Sequence, residues 1–199
     1  MKLHLGSGKR RILGWINVDI DPANEPDVVA DCFTGATSLR YDCDWMHSES
    51  ADVVYACHVL EHVGRHQYKK ALEFWHDLLK PGGILRLSVP DLEAVFAYYI
   101  ADLERLGTGS KLNELLGFLY GGQRNEHDCH KMGWDEATLT RDLLEAGFKD
   151  VRRYDRDKTE HAGVDDYSAS YLPKLSQCKS MGEYRKGTLL SLNIEATKG

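Results

Sequence analysis

The sequence is poor in the patterns that organise sulfur. Its 199 residues include five cysteines, Cys32, Cys43, Cys57, Cys129 and Cys178, and none are spaced C-x-x-C. That spacing excludes a zinc knuckle, and the odd number leaves no complete disulfide framework, so a reducing, cytoplasmic setting is expected. A basic excess is also missing, because 25 Lys and Arg face 31 Asp and Glu for a net charge of −6. A surface built on phosphate backbones needs the opposite balance, so no nucleic-acid partner is expected. The clusters at Lys9-Arg10-Arg11 and from Arg152 to Lys158 read as solvated surface. No apolar run is long enough to cross a bilayer and no apolar signal core follows Met1-Lys2, so no membrane span is expected and the chain is expected to enter folded structure at once. Internal repeats, low-complexity tracts and interdomain linkers are absent too. With 42% hydrophobic content, residues 1–199 are expected to form a single domain with a full core.

What is present is an alternation of short apolar runs with helical patterns. Leu3 to Leu5, Ile16 to Ile20, Val28 to Ala30, Val53 to Ala56 and Ile84 to Val89 have the length and β-branched content of strands covered on both faces. Between the last two, Tyr68, Ala71, Leu72, Trp75, Leu78 and Leu79 recur at helical spacing until Pro81-Gly82-Gly83, which predicts a parallel strand-helix-strand crossover. Asp91 is placed to cap a helix with the stripe Leu92, Val95, Phe96, Tyr99, Leu103 and Leu106, and Ser110 to cap another through Leu112, Leu115, Leu116 and Leu119. A helical and lid-like insertion is expected over about 91–134. A helix from Asp135 to Ala146 ends at Gly147 and feeds a strand to Tyr154. In the last run, Leu190, Leu192, Ile194 and Ala196 alternate with Ser191, Asn193 and Glu195, which predicts an antiparallel, edge-proximal strand with one wetter face. Thr159 to Tyr184 is the least regular stretch.

"LHLGSGKRRILGWINVDID" has a strand, a glycine turn and an acid, yet a dinucleotide fingerprint needs a third glycine, a helix facing the pyrophosphate and an acid about twenty residues on. Lys9-Arg10-Arg11 follows Gly8 instead, Gly14 leaves room for little more than one helical turn, and Asp19 comes early. A P-loop fails as well, since Gly8-Lys9 is followed by Arg10. A ligand with ribose and adenine but no phosphate, such as S-adenosylmethionine, relaxes the need for that helix. Its amino-acid end can approach the Gly6 to Gly8 backbone, and a carboxylate at a strand end, Asp19, can grip its ribose hydroxyls.

On these residues the sequence resembles the class I S-adenosylmethionine-dependent methyltransferases, and the match continues in order. "LHLGSG" resembles their first motif, "NVDID" the ribose-binding end of the second strand, and "VVADC" the third strand end. "ADVVYACHVLEHV" and "LLKPGGILRLSVPD" resemble the fourth and fifth strands with the helix between. The resemblance implies an α/β, Rossmann-like, doubly wound and mostly parallel seven-stranded sheet with an antiparallel closing strand. It also implies S-adenosyl-L-methionine as cofactor, held by Leu5, Gly6, Ser7, Gly8, Asp19, Ile20, Asp31, Cys32, Cys57 and His58, with Asp31 near adenine. The compact glycine turn, "HVLEH" and a later His-rich segment further resemble small methyltransferases associated with glycan synthesis, which implies a glycan or small-molecule acceptor.

Methyl transfer from a sulfonium requires donor and acceptor held in line and, for a hydroxyl acceptor, removal of a proton. Histidine suits that task, and three candidates fall at the expected cleft: His58 after the fourth strand, and His127 and His130 in "GGQRNEHDCHKMGW". His58 has the alternative of contacting the donor. Glu61 and His62 read as structural, because "LEH" begins a helix whose apolar contacts place them. His127, Asp128, Cys129 and His130 are ligand types, but their spacing matches no strong zinc pattern, so no metal is expected. Tyr98, Tyr99, Tyr120 and Trp134 are candidates for stacking on a sugar, with Tyr99 on the core stripe and Trp134 the better lid residue. Cys57 reads as a small buried residue. The leading function is O-methylation of a sugar, glycan or small-molecule hydroxyl. The alternatives are methylation of an amine or other small metabolite, and a donor-binding module without turnover. The oligomeric state is not readable from these residues.

Overall fold

The expected runs become strands of one sheet in a computed structural model that describes residues 1–35, 48–106 and 112–199. Cys43 and Ser110, the residue expected to cap a helix, lie outside the described residues, as does the side chain of Leu106. Strand β1 (Lys2–Leu5) is followed by β2 (Ile16–Asp19), β3 (Val28–Val29), β4 (Ala51–Cys57), helix α1 (Tyr68–Leu78) and β5 (Leu79–Pro90). Then come α2 (Leu92–Leu106), α3 (Leu112–Tyr120), α4 (Glu136–Glu145), β6 (Phe148–Arg153), β7 (Tyr171–Leu172), α5 (Met181–Tyr184), β8 (Thr188–Leu189) and β9 (Ser191–Lys198). The seven-stranded sheet has the order β3-β2-β1-β4-β5-β9-β6, and β7 and β8 form a separate pair. Strands β3 to β5 with β1 and β2 pair in parallel, while β9 runs antiparallel to both β5 and β6. The fold is therefore the Rossmann-like, mostly parallel sheet with one antiparallel strand.

Local chemistry accounts for most of these boundaries. Ala71, Leu72, Trp75 and Leu78 form the buried stripe of α1, and the Trp75 indole donates to the Cys32 carbonyl at 2.6 Å, which ties the helix to the end of β3. The chain turns straight from α1 into strand, since Leu79 already pairs with Ala51. Asp135 caps α4 in a reciprocal arrangement with Thr138, and Gly147 follows at φ +95°. Asp91 accepts from the Ala94 amide at 3.2 Å at the start of α2. The excursion that begins there returns beside its origin, with the Leu92 amide donating to the Trp134 carbonyl at 3.0 Å.

Three expectations are corrected. Trp134 is core rather than lid: it is 2% exposed, its indole donates to Asp142 at 3.0 Å and its ring packs edge-on against Tyr68. Phe96 belongs to the outer face of α2, 52% exposed; among the described residues of the expected stripe, Val95 alone is fully buried. The polar face of β9 is dry. Ser191 and Asn193 are buried under the irregular segment, whose Tyr167 and Ser168 carbonyls accept from Ser191 Oγ at 2.6 Å and Asn193 Nδ2 at 2.9 Å. Asn193 also accepts from Ser88 Oγ at 2.5 Å. Polar alternation in a sheet implies water only where nothing polar covers it.

The same segment places His161 against the sheet, its ring 4.0 Å from that of Tyr55, with both ring nitrogens buried and unpartnered. Burial first, and then the nearby Arg86 guanidinium, lower its pKa from 6.5 to about 4, against the pull of Asp166 and Glu160. Between these values the unfolded chain binds a proton that the folded chain refuses, so this contribution to stability is full above pH 6.5 and declines as pH falls toward 4. Chemical denaturation at pH 7 and pH 5 should show a loss at the lower pH that is smaller in His161→Phe. An equal loss in both proteins rejects the role of His161.

Candidate active site

The glycine turn leaves β1 with Gly6 and Gly8 at φ +61° and +52°, conformations that side chains rarely adopt. A β-carbon on Gly6 would overlap the side chain of Val59, so the turn packs directly on the segment that follows β4. Among the described residues no helix separates β1 from β2, and the turn is held instead by side chains. Asp19, buried at the end of β2, accepts the Gly8 amide on Oδ2 at 2.7 Å. Its Oδ1 accepts the Asp21 amide at 2.9 Å and Asn24 Nδ2 at 3.0 Å. The Ser7 amide donates to the Val18 carbonyl at 3.0 Å. Leu5 is fully buried, and Ile20 is 44% exposed beyond the strand end. Asp31 closes its own turn, accepting from the Phe33 amide at 2.8 Å and Thr34 Oγ1 at 3.0 Å. Cys32 and Cys57 are buried, and burial raises both thiols well above their ordinary pKa, which removes them as nucleophiles at neutral pH.

Beyond β4 the chain reaches His58 at φ +53°, an uncommon conformation for a side-chain-bearing residue. The His58 amide donates to the Ser88 carbonyl at 2.7 Å, which holds the residue to β5. Ser191 Oγ gives its hydrogen to Tyr167 and so receives His58 Nε2–H at 2.9 Å. The other ring edge faces the next turn, with Nδ1 3.1 Å from Glu61 Oε1. A short 3-10 turn, Leu60–His62, presents Glu61 inward at 0% exposure. Neither Glu61 carboxylate oxygen has an aligned hydrogen-bond donor. Burial opposes ionisation of this carboxyl, yet the facing imidazoles of His58, His62 and His130 hold it below its ordinary pKa. Burial likewise lowers the His62 imidazole, against the pull of Glu61, which favours the neutral ring.

His130 arrives from the loop after α3. The Lys131 and Met132 amides both donate to the Glu61 carbonyl, at 2.7 and 3.2 Å, so backbone bonds stitch this loop to the turn. His130 Nε2 stands 3.8 Å from Glu61 Oε1, and its ring lies edge-on to His62 with centroids 4.8 Å apart. A cleft of about 340 Å³ opens beside it, lined in part by Arg65, Tyr120, His130 and Met132. The structure thus brings His58 and His130 to one carboxylate and leaves His127 outside, 58% exposed with Nε2 3.8 Å from Glu126. Glu61 and His62, read from the sequence as structural, are the residues that join them. The available signal was a carboxylate set between apolar residues with histidines on both sides, because a buried charge requires partners.

A glycine turn tied to an acid at the next strand end, with the sheet order above, defines the Rossmann-like methyltransferase fold. The chain matches the family described as "Methyltransferase domain" over residues 10–153, and it belongs to that family of transferases. Among solved structures, an S-adenosylmethionine-dependent methyltransferase from Thermotoga maritima is similar at 16% identity and a TM-score of 0.55, over 100% of this chain and 82% of that one. One from Archaeoglobus fulgidus is similar at 15% identity and a TM-score of 0.51, over 99% and 85%. A Haloferax volcanii methyltransferase, solved with its activator Trm112, is similar at 16% identity and a TM-score of 0.53, over 98% and 81%. At these identities the likeness is one of fold. No curated protein matches by sequence. Among the described residues, no helix is long and apolar enough to cross a membrane.

Proposed function

We propose that the protein transfers the methyl group of S-adenosyl-L-methionine to a hydroxyl of a sugar, glycan or small molecule. The observation that carries the reading is the contact between its two halves: Gly6 packs on Val59, which sits between His58 and the Glu61 turn. A donor lying on Gly6 to Gly8, with its ribose at Asp19 and its adenine toward Asp31 and Cys32, therefore directs its sulfonium toward the imidazole-carboxylate cluster. The acceptor enters through the cleft beside His130, covered by the loop of residues 121–130. Tyr167 is 49% exposed and tilted 5.6 Å from the His58 ring, an aromatic face suited to a sugar ring.

In the reaction, a lone pair of the acceptor oxygen forms the C–O bond as the C–S bond breaks. The bonding electrons stay on sulfur as neutral S-adenosylhomocysteine, and the hydroxyl proton passes to the cluster. A hydroxyl acceptor gives the imidazoles a proton to accept as the C–O bond forms, whereas a neutral amine attacks without a base. The test is transfer of labelled methyl from S-adenosylmethionine to a panel of polyols, monosaccharides, glycans and amines, with S-adenosylhomocysteine binding measured by calorimetry. Label in an alkali-stable ether supports the reading. Label confined to amines removes the hydroxyl assignment, and absence of donor binding removes the donor assignment.

A further inference from the structure

Glu61, His62 and His130 each offer a ligand atom within 4.8 Å of the other two. We infer that these three side chains form a site for a divalent transition-metal cation. The tautomers point the same way. His62 Nδ1 lies 3.2 Å from the Cys129 carbonyl and His130 Nδ1 lies 2.9 Å from the Phe118 carbonyl. A carbonyl only accepts, so each Nδ1 carries the hydrogen, which leaves the Nε2 lone pair of each ring as the one available to ligate. Histidines oriented through one nitrogen by a backbone carbonyl are the usual outer support of metal ligands.

Those lone pairs accompany a carboxylate that is 0% exposed, with both oxygens lacking an aligned donor. Lone pairs and a buried anion repel unless positive charge sits among them. His58 Nδ1 lies 3.1 Å from Glu61 Oε1 along one edge, while His62 on the same turn as Glu61 and His130 from the loop after α3 stand on the remaining sides. Two imidazoles and one carboxylate suit zinc, iron, cobalt or manganese, whereas magnesium and calcium take oxygen donors and keep several waters. Three protein ligands leave coordination positions open, as catalytic sites do. The Lys131 and Met132 amides bonded to the Glu61 carbonyl fix the two ligand-bearing segments together.

For its role the inference rests on the proposed methyl transfer: a cation here would bind the acceptor oxygen and lower the pKa of its hydroxyl, and the proton would leave to water instead of to His130, whose Nε2 the cation would occupy. Whether a cation binds is independent of that role. The full chain, stripped with chelator and exchanged into metal-free buffer, is titrated with cobalt(II) chloride by visible absorption and calorimetry. One equivalent should bind and develop ligand-field bands, and excess magnesium should not displace it. Glu61→Gln, His62→Ala and His130→Ala should each weaken binding at least about tenfold, whereas His66→Ala, on an exposed loop, should not. Two histidine variants keep the test intact if Glu61→Gln fails to fold. Absence of one-equivalent binding, or binding unchanged in the folded variants, overturns the site. S-adenosylhomocysteine titrated into the same samples separates the readings: donor binding without cobalt binding rejects the cation alone.

Discussion

Replacing His130 by alanine is expected to lower methyl transfer by about 10²–10⁴-fold, the usual worth of a positioned acid-base group, while S-adenosylhomocysteine binds as before. The expectation follows from where the ring points. Its Nδ1 is committed to the Phe118 carbonyl, its Nε2 stands 3.8 Å from Glu61 Oε1, and the residue lines the cleft. Acceptance of the hydroxyl proton and ligation of a cation both use that nitrogen, so its loss falls on turnover. His127 is secondary, because the structure leaves it exposed beside Glu126. Single-turnover rates with the true acceptor, set against donor calorimetry, measure the split. Full turnover in both His130→Ala and His127→Ala would defeat the assignment and leave His58 or positioning alone to explain the rate. His58→Ala supplies the contrast, since weakened donor binding there marks a donor contact and preserved binding marks a role in the chemistry.

The sequence made one half of this site more legible than the other, for a physical reason. The proposed donor half depends on backbone shape, and backbone shape is written locally: glycines at positive φ and an acid ending a strand. The proposed acceptor half is assembled from residues far apart in the chain. Glu61 and His130 meet only because the excursion after β5 closes on itself between Leu92 and Trp134, and no local period encodes that closure. For the same reason the wet face expected on β9 is dry. Its cover comes from Tyr167 and Ser168, in the stretch with the weakest secondary-structure signal. There Asp166 accepts from the Tyr55 hydroxyl at 2.6 Å and the Ser168 amide at 3.0 Å, so side-chain hydrogen bonds organise what periodicity does not.

Asp19→Ala is expected to weaken donor binding by about 1.5–3 kcal/mol, tenfold or more, through loss of a charge-assisted hydrogen bond. The structure sharpens how that loss arises. A carboxylate offers about four lone-pair sites, and three are already taken by the Gly8 amide, the Asp21 amide and Asn24 Nδ2. One site on Oδ2 remains for a ribose hydroxyl, so Asp19 is expected to join the ribose to the glycine turn rather than clamp both hydroxyls itself. Asparagine should substitute poorly despite its matched shape. All three protein partners are donors, and its amide group would set N–H against N–H on one side. Asp19→Ala and Asp19→Asn should therefore both lose affinity for S-adenosylhomocysteine in calorimetry, on protein whose far-ultraviolet spectrum shows the sheet intact. Asp21 is the control: its Oδ1 caps the following turn through the Ala23 amide at 2.9 Å, and its side chain is exposed. Unchanged affinity in folded Asp19→Ala, with a loss in Asp21→Ala instead, would move the ribose contact two residues along the chain and leave Asp19 as the brace of the glycine turn.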